Sequence, residues 1–97
     1  MEDISKCRIN RIDENVAWRE IESDLFIILI KDDEEKVFQL NKTASFLWKN
    51  CDGERTIQEI IEGVCLRFDV DEERARADIM RFIDEMKRLN LAVLSAP

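Results

Sequence analysis

The stretch Glu35-Lys-Val-Phe-Gln-Leu-Asn41 decides how this chain of 97 residues is organised. Val37, Phe38 and Leu40 are residue types that favour β-strands. Asn41 is a strong helix N-cap, because its side-chain oxygen can accept a free N–H group of the first helical turn. The stretch therefore predicts a strand that runs directly into a helix, with strand-like sequence before it and helix-like sequence after it.

Two further strands are predicted upstream of this one. Residues 16–21 have strand character and are followed by the turn-forming residues Glu22-Ser23-Asp24. The next run, Leu25-Phe-Ile-Ile-Leu-Ile30, is apolar throughout, which indicates a central strand that is covered on both faces. Because short turns suffice to join antiparallel neighbours, residues 16–40 predict a three-stranded meander in which the third strand is an edge.

The apolar central strand needs a cover on its second face. Three helices packed on one side of a three-stranded sheet would leave the other side exposed to water. We expect the N-terminal arm, residues 1–15, to cover it. A second copy of the chain and a different partner are the alternatives.

Three helices are predicted within residues 42–90. The first runs from Lys42 to about Cys51 and is ended by Asp52-Gly53, since glycine suits the left-handed position after a helix. Residues 91–97 follow the third helix as a C-terminal tail, in which Leu91-Ala-Val-Leu94 is expected to form either a last short strand or a packed segment.

The second and third helices carry clear start signals. Thr56-Ile-Gln-Glu59 has the spacing of a capping box. Asp71 is a cap residue for the third helix, which runs to about Leu89. The predicted core stripe of this helix consists of Ala75, Ile79, Phe82, Ile83, Met86 and Leu89. Together the elements predict an α+β fold, a single domain over residues 1–97: a winged helix-turn-helix with a three-stranded antiparallel N-terminal sheet followed by three helices.

The composition limits the possible functions. The chain is 45 % hydrophobic and 38 % charged, with a net charge of −7. This charge disfavours a nucleic-acid partner, because such binding depends on neutralising phosphates with Lys and Arg. The longest apolar run is too short to span a membrane, so no membrane partner is predicted.

No constellation of residues indicates catalysis. The sequence has no histidine, no phosphate-binding glycine loop and no clustered metal ligands, so we expect no enzyme activity, no cofactor and no metal site. Cys7, Cys51 and Cys65 form no C-x-x-C pair, and Cys51 and Cys65 are interpreted as small buried hydrophobes. Their odd number and the lack of a signal sequence predict a cytoplasmic protein.

The edge strand and the third helix are the predicted working surface. A peptide could add to the free edge as a further strand and place side chains against the helix. Met80 falls outside the core stripe of the helix, between Arg76 and Lys87, although a wide core stripe is an equal interpretation. The predicted peptide-binding residues are Lys36, Val37, Phe38, Gln39, Leu40, Arg76, Met80, Ile83 and Lys87.

Two other functions remain open at this point. A winged-helix DNA-binding regulator would read DNA with the third helix, but acidic residues dilute the basic ones there. A self-associating structural subunit would bury the outer face of residues 25–30 against a second copy, which makes a homodimer an open alternative.

The sequence also resembles a known family, over about residues 16 to 94. The resemblance depends on several segments in this order and spacing: Val16-Ala-Trp-Arg-Glu20, Phe38-Gln-Leu-Asn-Lys-Thr-Ala44, Leu47-Trp48, Asp52-Gly53-Glu-Arg-Thr56 and Phe68-Asp-Val-Asp71. They are similar to those of the PqqD-like family.

The resemblance implies a RiPP precursor recognition element, a non-catalytic peptide chaperone. It would bind the leader of a ribosomally made precursor peptide as an extra strand along residues 35–40, beside the third helix. It would then present that peptide to a modifying enzyme, a radical SAM enzyme in pyrroloquinoline quinone (PQQ) biosynthesis and a protease or other modifier in related pathways. Residues 30–34 lack the Tyr-Pro-x-Gly turn of the quinone branch, and residues 68–71 lack its Phe-Pro element, which favours a relative that serves another peptide.

Overall fold

The computed structural model of the protein describes residues 4–12, 14–22 and 24–96. Within these ranges it contains six strands and three helices. In chain order they are β1 (Arg8–Arg11), β2 (Val16–Ile21), β3 (Asp24–Lys31), β4 (Glu34–Leu40), α1 (Lys42–Lys49), β5 (Asp52–Thr56), α2 (Ile57–Phe68), α3 (Glu72–Arg88) and β6 (Ala92–Ser95). The predicted α+β class is confirmed, whereas the winged helix-turn-helix arrangement stays a prediction.

The predicted meander forms one of the two sheets. Its strand order is β2-β3-β4 and both pairings are antiparallel. The turn between β3 and β4 consists of Asp32 and Asp33, which both have left-handed backbone angles (φ 54° and 61°). Two such residues form the tight turn whose twist matches that of the flanking strands. The pairing leaves β4 at an edge, as predicted.

The N-terminal arm and the C-terminal tail build the second sheet, which the sequence did not predict. Its order is β5-β1-β6, and both pairings are antiparallel. Gly53 lies inside β5 with φ 79°, opposite an irregularity in β1, and an added Cβ would lie 3.2 Å from Cγ of Asn10. The expectation that Asp52-Gly53 ends the first helix is therefore wrong: α1 ends at Lys49, and Asn50 caps it.

The helix starts follow the predicted caps. The Asn41 side chain accepts the N–H of Ala44 at 2.8 Å, and Asp71 accepts that of Arg74 at the same distance. Thr56 and Glu59 form the complete capping box. Local side-chain chemistry thus sets where each helix begins. No helix in the described part of the chain is long and apolar enough to cross a membrane.

A single cluster of buried side chains joins the helices to both sheets. Its fully buried members include Leu25 and Ile27 of β3, Trp48 of α1, Ile9 of β1 and Leu91. Cys51 is also buried, as predicted, and burial raises the pKa of its thiol to about 12. Cys65 is only partly buried.

The arm does not cover the second face of the meander. Ile30 and Val37 on that face remain 53 % and 58 % exposed. The arm lies on the helix side instead, where the guanidinium of Arg11 sits 5.3 Å from the ring centre of Trp18 and 5.8 Å from that of Trp48. The backbone of the arm pairs with β5 and β6. Among the described residues, the arm therefore does not provide the cover that we expected for the second face of the meander.

Candidate functional site

The free edge of β4 is the first component of the candidate site. The Ile30 N–H donates to the Asn15 carbonyl at 3.0 Å, so the even-numbered residues of β3 direct their backbone polar groups towards β2. Because these directions alternate along an antiparallel strand, the odd-numbered residues of β3 face β4. They pair with Lys36, Phe38 and Leu40.

The intervening residues of β4 therefore point outwards. The N–H and C=O groups of Glu35, Val37 and Gln39 are directed away from β3, and no other strand of the described residues pairs with this side. A row of unpaired backbone groups of this kind is a template for another strand.

A groove between β4, α1 and α3 is the second component. It has a volume of about 620 Å³. Its floor is apolar, since Leu47 and Met86 are buried and Phe82 and Ala44 are partly buried. The complete lining is Gln39, Leu40, Asn41, Thr43, Ala44, Leu47, Arg74, Asp78, Arg81, Phe82, Glu85 and Met86. The groove therefore lies beside the C-terminal end of the free edge.

Charged residues of α3 form the rim of this groove. Asp78 lies 3.9 Å from Nε of Arg74 and 4.0 Å from Nη1 of Arg81, and Glu85 forms an ion pair with Arg88. These pairs are exposed to solvent and contribute little to stability. Both signs of charge are therefore available to a ligand that lies across the rim.

The structure separates the predicted strand residues by face. Phe38 and Leu40 point towards the helices and pack against the core, and Lys36 is on the same face but exposed. Val37 and Gln39 lie on the opposite face. Of these five, Gln39 and Leu40 line the groove, and the other three extend the free edge beyond it.

The predicted residues of the third helix do not line this groove. Nη2 of Arg76 donates to Oε1 of Gln58 at 3.1 Å, so Arg76 faces α2. Met80 packs partly against the core, Ile83 is buried and Lys87 is exposed. The physical reason is packing, because α3 turns the flank that contains Asp78, Arg81 and Glu85 towards β4.

Sequence reasoning missed the residues that do line the groove on the helix side. Phe82 and Met86 were assigned only to the core stripe, and Asn41 only to its cap. Phe82 lies within the apolar stripe, so no signal in the sequence distinguished it from the core residues. The sequence at the start of α1 gave no signal of a binding site either.

The described residues offer no arrangement for metal chemistry. They contain no group of three or more His, Cys, Asp or Glu residues placed to bind a metal ion. The groove is lined by carboxylates, guanidinium groups, amides and apolar side chains, which can bind a ligand through hydrogen bonds, charge and burial.

Two comparisons with known proteins found similarity in sequence and in fold. The sequence profile of the family described as "Coenzyme PQQ synthesis protein D (PqqD)" matches residues 27–92. The solved structure "TbiB1 in Complex with the TbiA(beta) Leader Peptide" is similar to this chain with a TM-score of 0.75. The match covers 91 % of this chain and 99 % of that chain at 18 % sequence identity, and it shows a shared fold. No match to a curated protein was found.

The extent of the profile match decides the family. It covers more than half of the chain and includes β4, all three helices and therefore every element of the groove. This chain belongs to the PqqD family.

Proposed function

We propose that this protein is a non-catalytic recognition element that binds the leader of a ribosomally made precursor peptide and presents it to a modifying enzyme. The observation that carries the proposal is the free edge of β4, which lies beside the groove between β4, α1 and α3. A peptide that adds to this edge gains main-chain hydrogen bonds, and pockets for its alternate side chains give specificity.

The backbone geometry defines how the leader adds to the sheet. The outward groups of Glu35, Val37 and Gln39 supply donors and acceptors for a fourth strand. Side chains alternate between the two faces of a strand, so every second leader residue points towards the helices. The residues that lie beside Gln39 and Leu40 then enter the groove.

The groove selects particular leader residues. Its apolar floor at Leu47, Phe82 and Met86 accepts an aliphatic or aromatic side chain. The rim accepts charged neighbours of that anchor, with Arg81 available to an acidic residue and Glu85 to a basic one. We therefore assign the helix wall of the site to this flank of α3 and not to Arg76, Met80 and Lys87.

Both comparisons support the proposal. The matched family is described by its part in coenzyme PQQ synthesis, and the similar structure, TbiB1, is a complex with a leader peptide. The partner enzyme of this chain is proposed to be a radical SAM enzyme or another peptide-modifying enzyme. We expect the interface with the leader peptide to bury less than about 1,200 Å², which is at the low end of specific contacts. An affinity for the leader on the order of 1 μM is therefore expected.

Proline substitution at the outward positions of β4 tests strand addition. Val37→Pro and Gln39→Pro each remove an outward donor but leave the ladder to β3 intact, because these N–H groups do not point towards it. We expect each variant to weaken binding about 10-fold, since a lost hydrogen bond costs about 1 kcal/mol and the ring hinders the incoming strand. Fluorescence anisotropy with a labelled candidate leader peptide measures the change in affinity.

The opposite edge of the sheet supplies the matched control. Glu20 of β2 also points its N–H outwards, because its neighbours Arg19 and Ile21 are the residues that face β3. Glu20→Pro should leave leader binding unchanged. Full binding by a folded Val37→Pro/Gln39→Pro double variant, with a native circular dichroism spectrum, would rule out strand addition at β4.

A further inference from the structure

The outer face of the meander, the side turned away from the helices, is an exposed apolar surface. Cross-strand partners share a face of a sheet, so the register places six apolar residues here: Ala17, Ile21, Phe26, Ile28, Ile30 and Val37. Ile21, Ile30 and Val37 are 49 %, 53 % and 58 % exposed. The described strands of the second sheet do not pair with the meander, and Arg11 of β1 contacts Trp18 and Trp48 on the helix side.

The apolar residues are contiguous. Ala17 and Val37 are both direct partners of Ile28, so the three side chains form one row across the sheet. Phe26 and Ile30 extend this row along β3 in both directions. A connected apolar patch with a charged border is typical of a protein interaction site.

The charge on this face is low for so acidic a protein. Its charged residues are Arg19, Asp24 and Glu35, which together carry −1, whereas the whole chain carries −7. Most of the negative charge therefore lies on other surfaces. A second copy of the chain meets less like-charge repulsion here than on those surfaces, and the opposite charges of Arg19 and Glu35 make the face partly self-complementary.

The size of the face also fits a weak dimer. Strands of seven and eight residues at about 3.4 Å per residue, spaced about 4.8 Å apart, give a face of roughly 14 by 25 Å. Two such faces in contact have a combined area of about 700 Å², which is in the range of weak or transient contacts. Buried area alone does not set affinity, but a contact of this class is expected to be weak, with a dissociation constant on the order of 10 μM or above.

We propose that the outer face binds a second copy of this chain, as a symmetric dimer in which two meanders pack face to face. Sheets with apolar inner faces pack in this way in β-sandwiches, and a two-fold arrangement brings the same patch of both copies together. The side chains of Glu35 and Val37 belong to the outer face, but the outward backbone groups of β4 point along the plane of the sheet and the groove lies on the helix side, so both stay open. The proposal therefore stands independently of leader binding.

Sedimentation velocity of the full chain over about 1 to 500 μM tests the proposal. The weight-average mass should rise from that of one chain to that of two, with a midpoint on the order of 10 μM or above. Ile30→Glu should raise the dissociation constant at least about 10-fold, because each copy would then bury an unpaired carboxylate among apolar side chains of the interface. Ile21→Glu, at the opposite end of the face, should act in the same direction.

Leu66 provides the matched control. It is the most exposed of the large apolar residues described, at 87 %, and lies on α2 away from the meander. Leu66→Glu should leave the dissociation constant unchanged. A wild-type chain that stays monomeric up to about 500 μM would overturn the proposal, and so would a dimer that Leu66→Glu dissociates but Ile30→Glu and Ile21→Glu do not.

Discussion

The two exposed flanks of α3 are similar in sequence but have different surroundings. The groove flank contains Asp78, Arg81, Phe82 and Glu85, and the far flank contains Arg76, Met80 and Lys87. Each combines charged residues with one large apolar residue, Phe82 within the core stripe on the groove flank and Met80 outside it on the far flank. On a helical wheel, neither flank is distinguished as a binding surface.

The packing of α3 makes the two flanks different. On the far flank, Arg76 bonds to Gln58 of α2 and forms an ion pair with Glu72 at 3.3 Å. The groove flank instead faces β4 and the start of α1 across an open groove. A flank that already contacts a neighbouring helix stabilises the fold, whereas a flank that faces a free strand edge can bind a ligand.

The largest expected effect comes from the apolar residue of the groove flank. Phe82→Ala removes most of the apolar side chain that forms the groove floor, so leader affinity should fall about 10- to 100-fold, which corresponds to about 1.5–3 kcal/mol for the burial of a large apolar side chain. Isothermal titration calorimetry with the leader peptide measures this loss.

Met80→Ala is the matched substitution on the far flank. Met80 packs partly against the core, so its truncation should lower the melting temperature but leave leader affinity within about 2-fold of wild type, because no leader contact is lost. If Met80→Ala weakened binding as much as Phe82→Ala, the leader would lie on the far flank and the assignment of the groove would be wrong.

A smaller effect is expected from the charges of the two flanks. Arg81→Glu replaces a basic residue of the rim, so it should slow association with an acidic leader about 3- to 10-fold at low salt, and salt should reduce the difference. Stopped-flow fluorescence measures the association rate.

The corresponding change on the far flank is the double variant Arg76→Glu/Lys87→Glu. Both residues lie away from the groove, so association should stay close to that of wild type at each salt concentration. A slower rate in this double variant together with an unchanged rate in Arg81→Glu would reverse the comparison.

The smallest effect concerns α2, against which the far flank packs. The backbone N–H of Thr56 and its hydroxyl lower the pKa of Glu59 from its ordinary value of 4.5. Because the folded pKa is lower than the unfolded one, the stabilising contribution is present above about pH 4.5 and is lost as pH falls through the folded pKa.

Glu59→Gln tests this contribution. The variant should melt a few degrees below wild type at neutral pH, and the difference should shrink as pH falls below 4.5, because wild-type Glu59 becomes protonated. Differential scanning calorimetry from pH 3 to 7 measures it. A difference independent of pH would show that the carboxylate charge does not stabilise the capping box, and leader affinity at neutral pH should not change in either case.

Much of the fold could be predicted because it depends on local sequence. Asn41, Thr56 and Asp71 cap the three helices through contacts with residues three positions away, and such contacts are visible as a short motif. The meander was predictable for the same reason, since the two turns that join its strands are short. The free edge of β4, which is one half of the candidate site, follows from that order of strands.

The other half of the site could not be predicted from local patterns. Met80 was chosen because it lies outside the core stripe, but it packs against the core from the far side. Phe82 lies within the stripe and was therefore assigned to the interior. The helical period shows which residues are apolar neighbours, but it contains no information on which flank will meet β4.

The sequence by itself determined the elements of this protein, its free strand edge and its acidic, histidine-free composition, because each follows from residue type or from contacts within a few residues. Only the tertiary structure decided that the arm pairs with both β5 and the tail, that the outer face of the meander stays exposed, and that the groove flank of α3 faces β4. These features depend on contacts between segments far apart in the chain. The packing of the whole core determines these contacts, and short sequence patterns do not predict them.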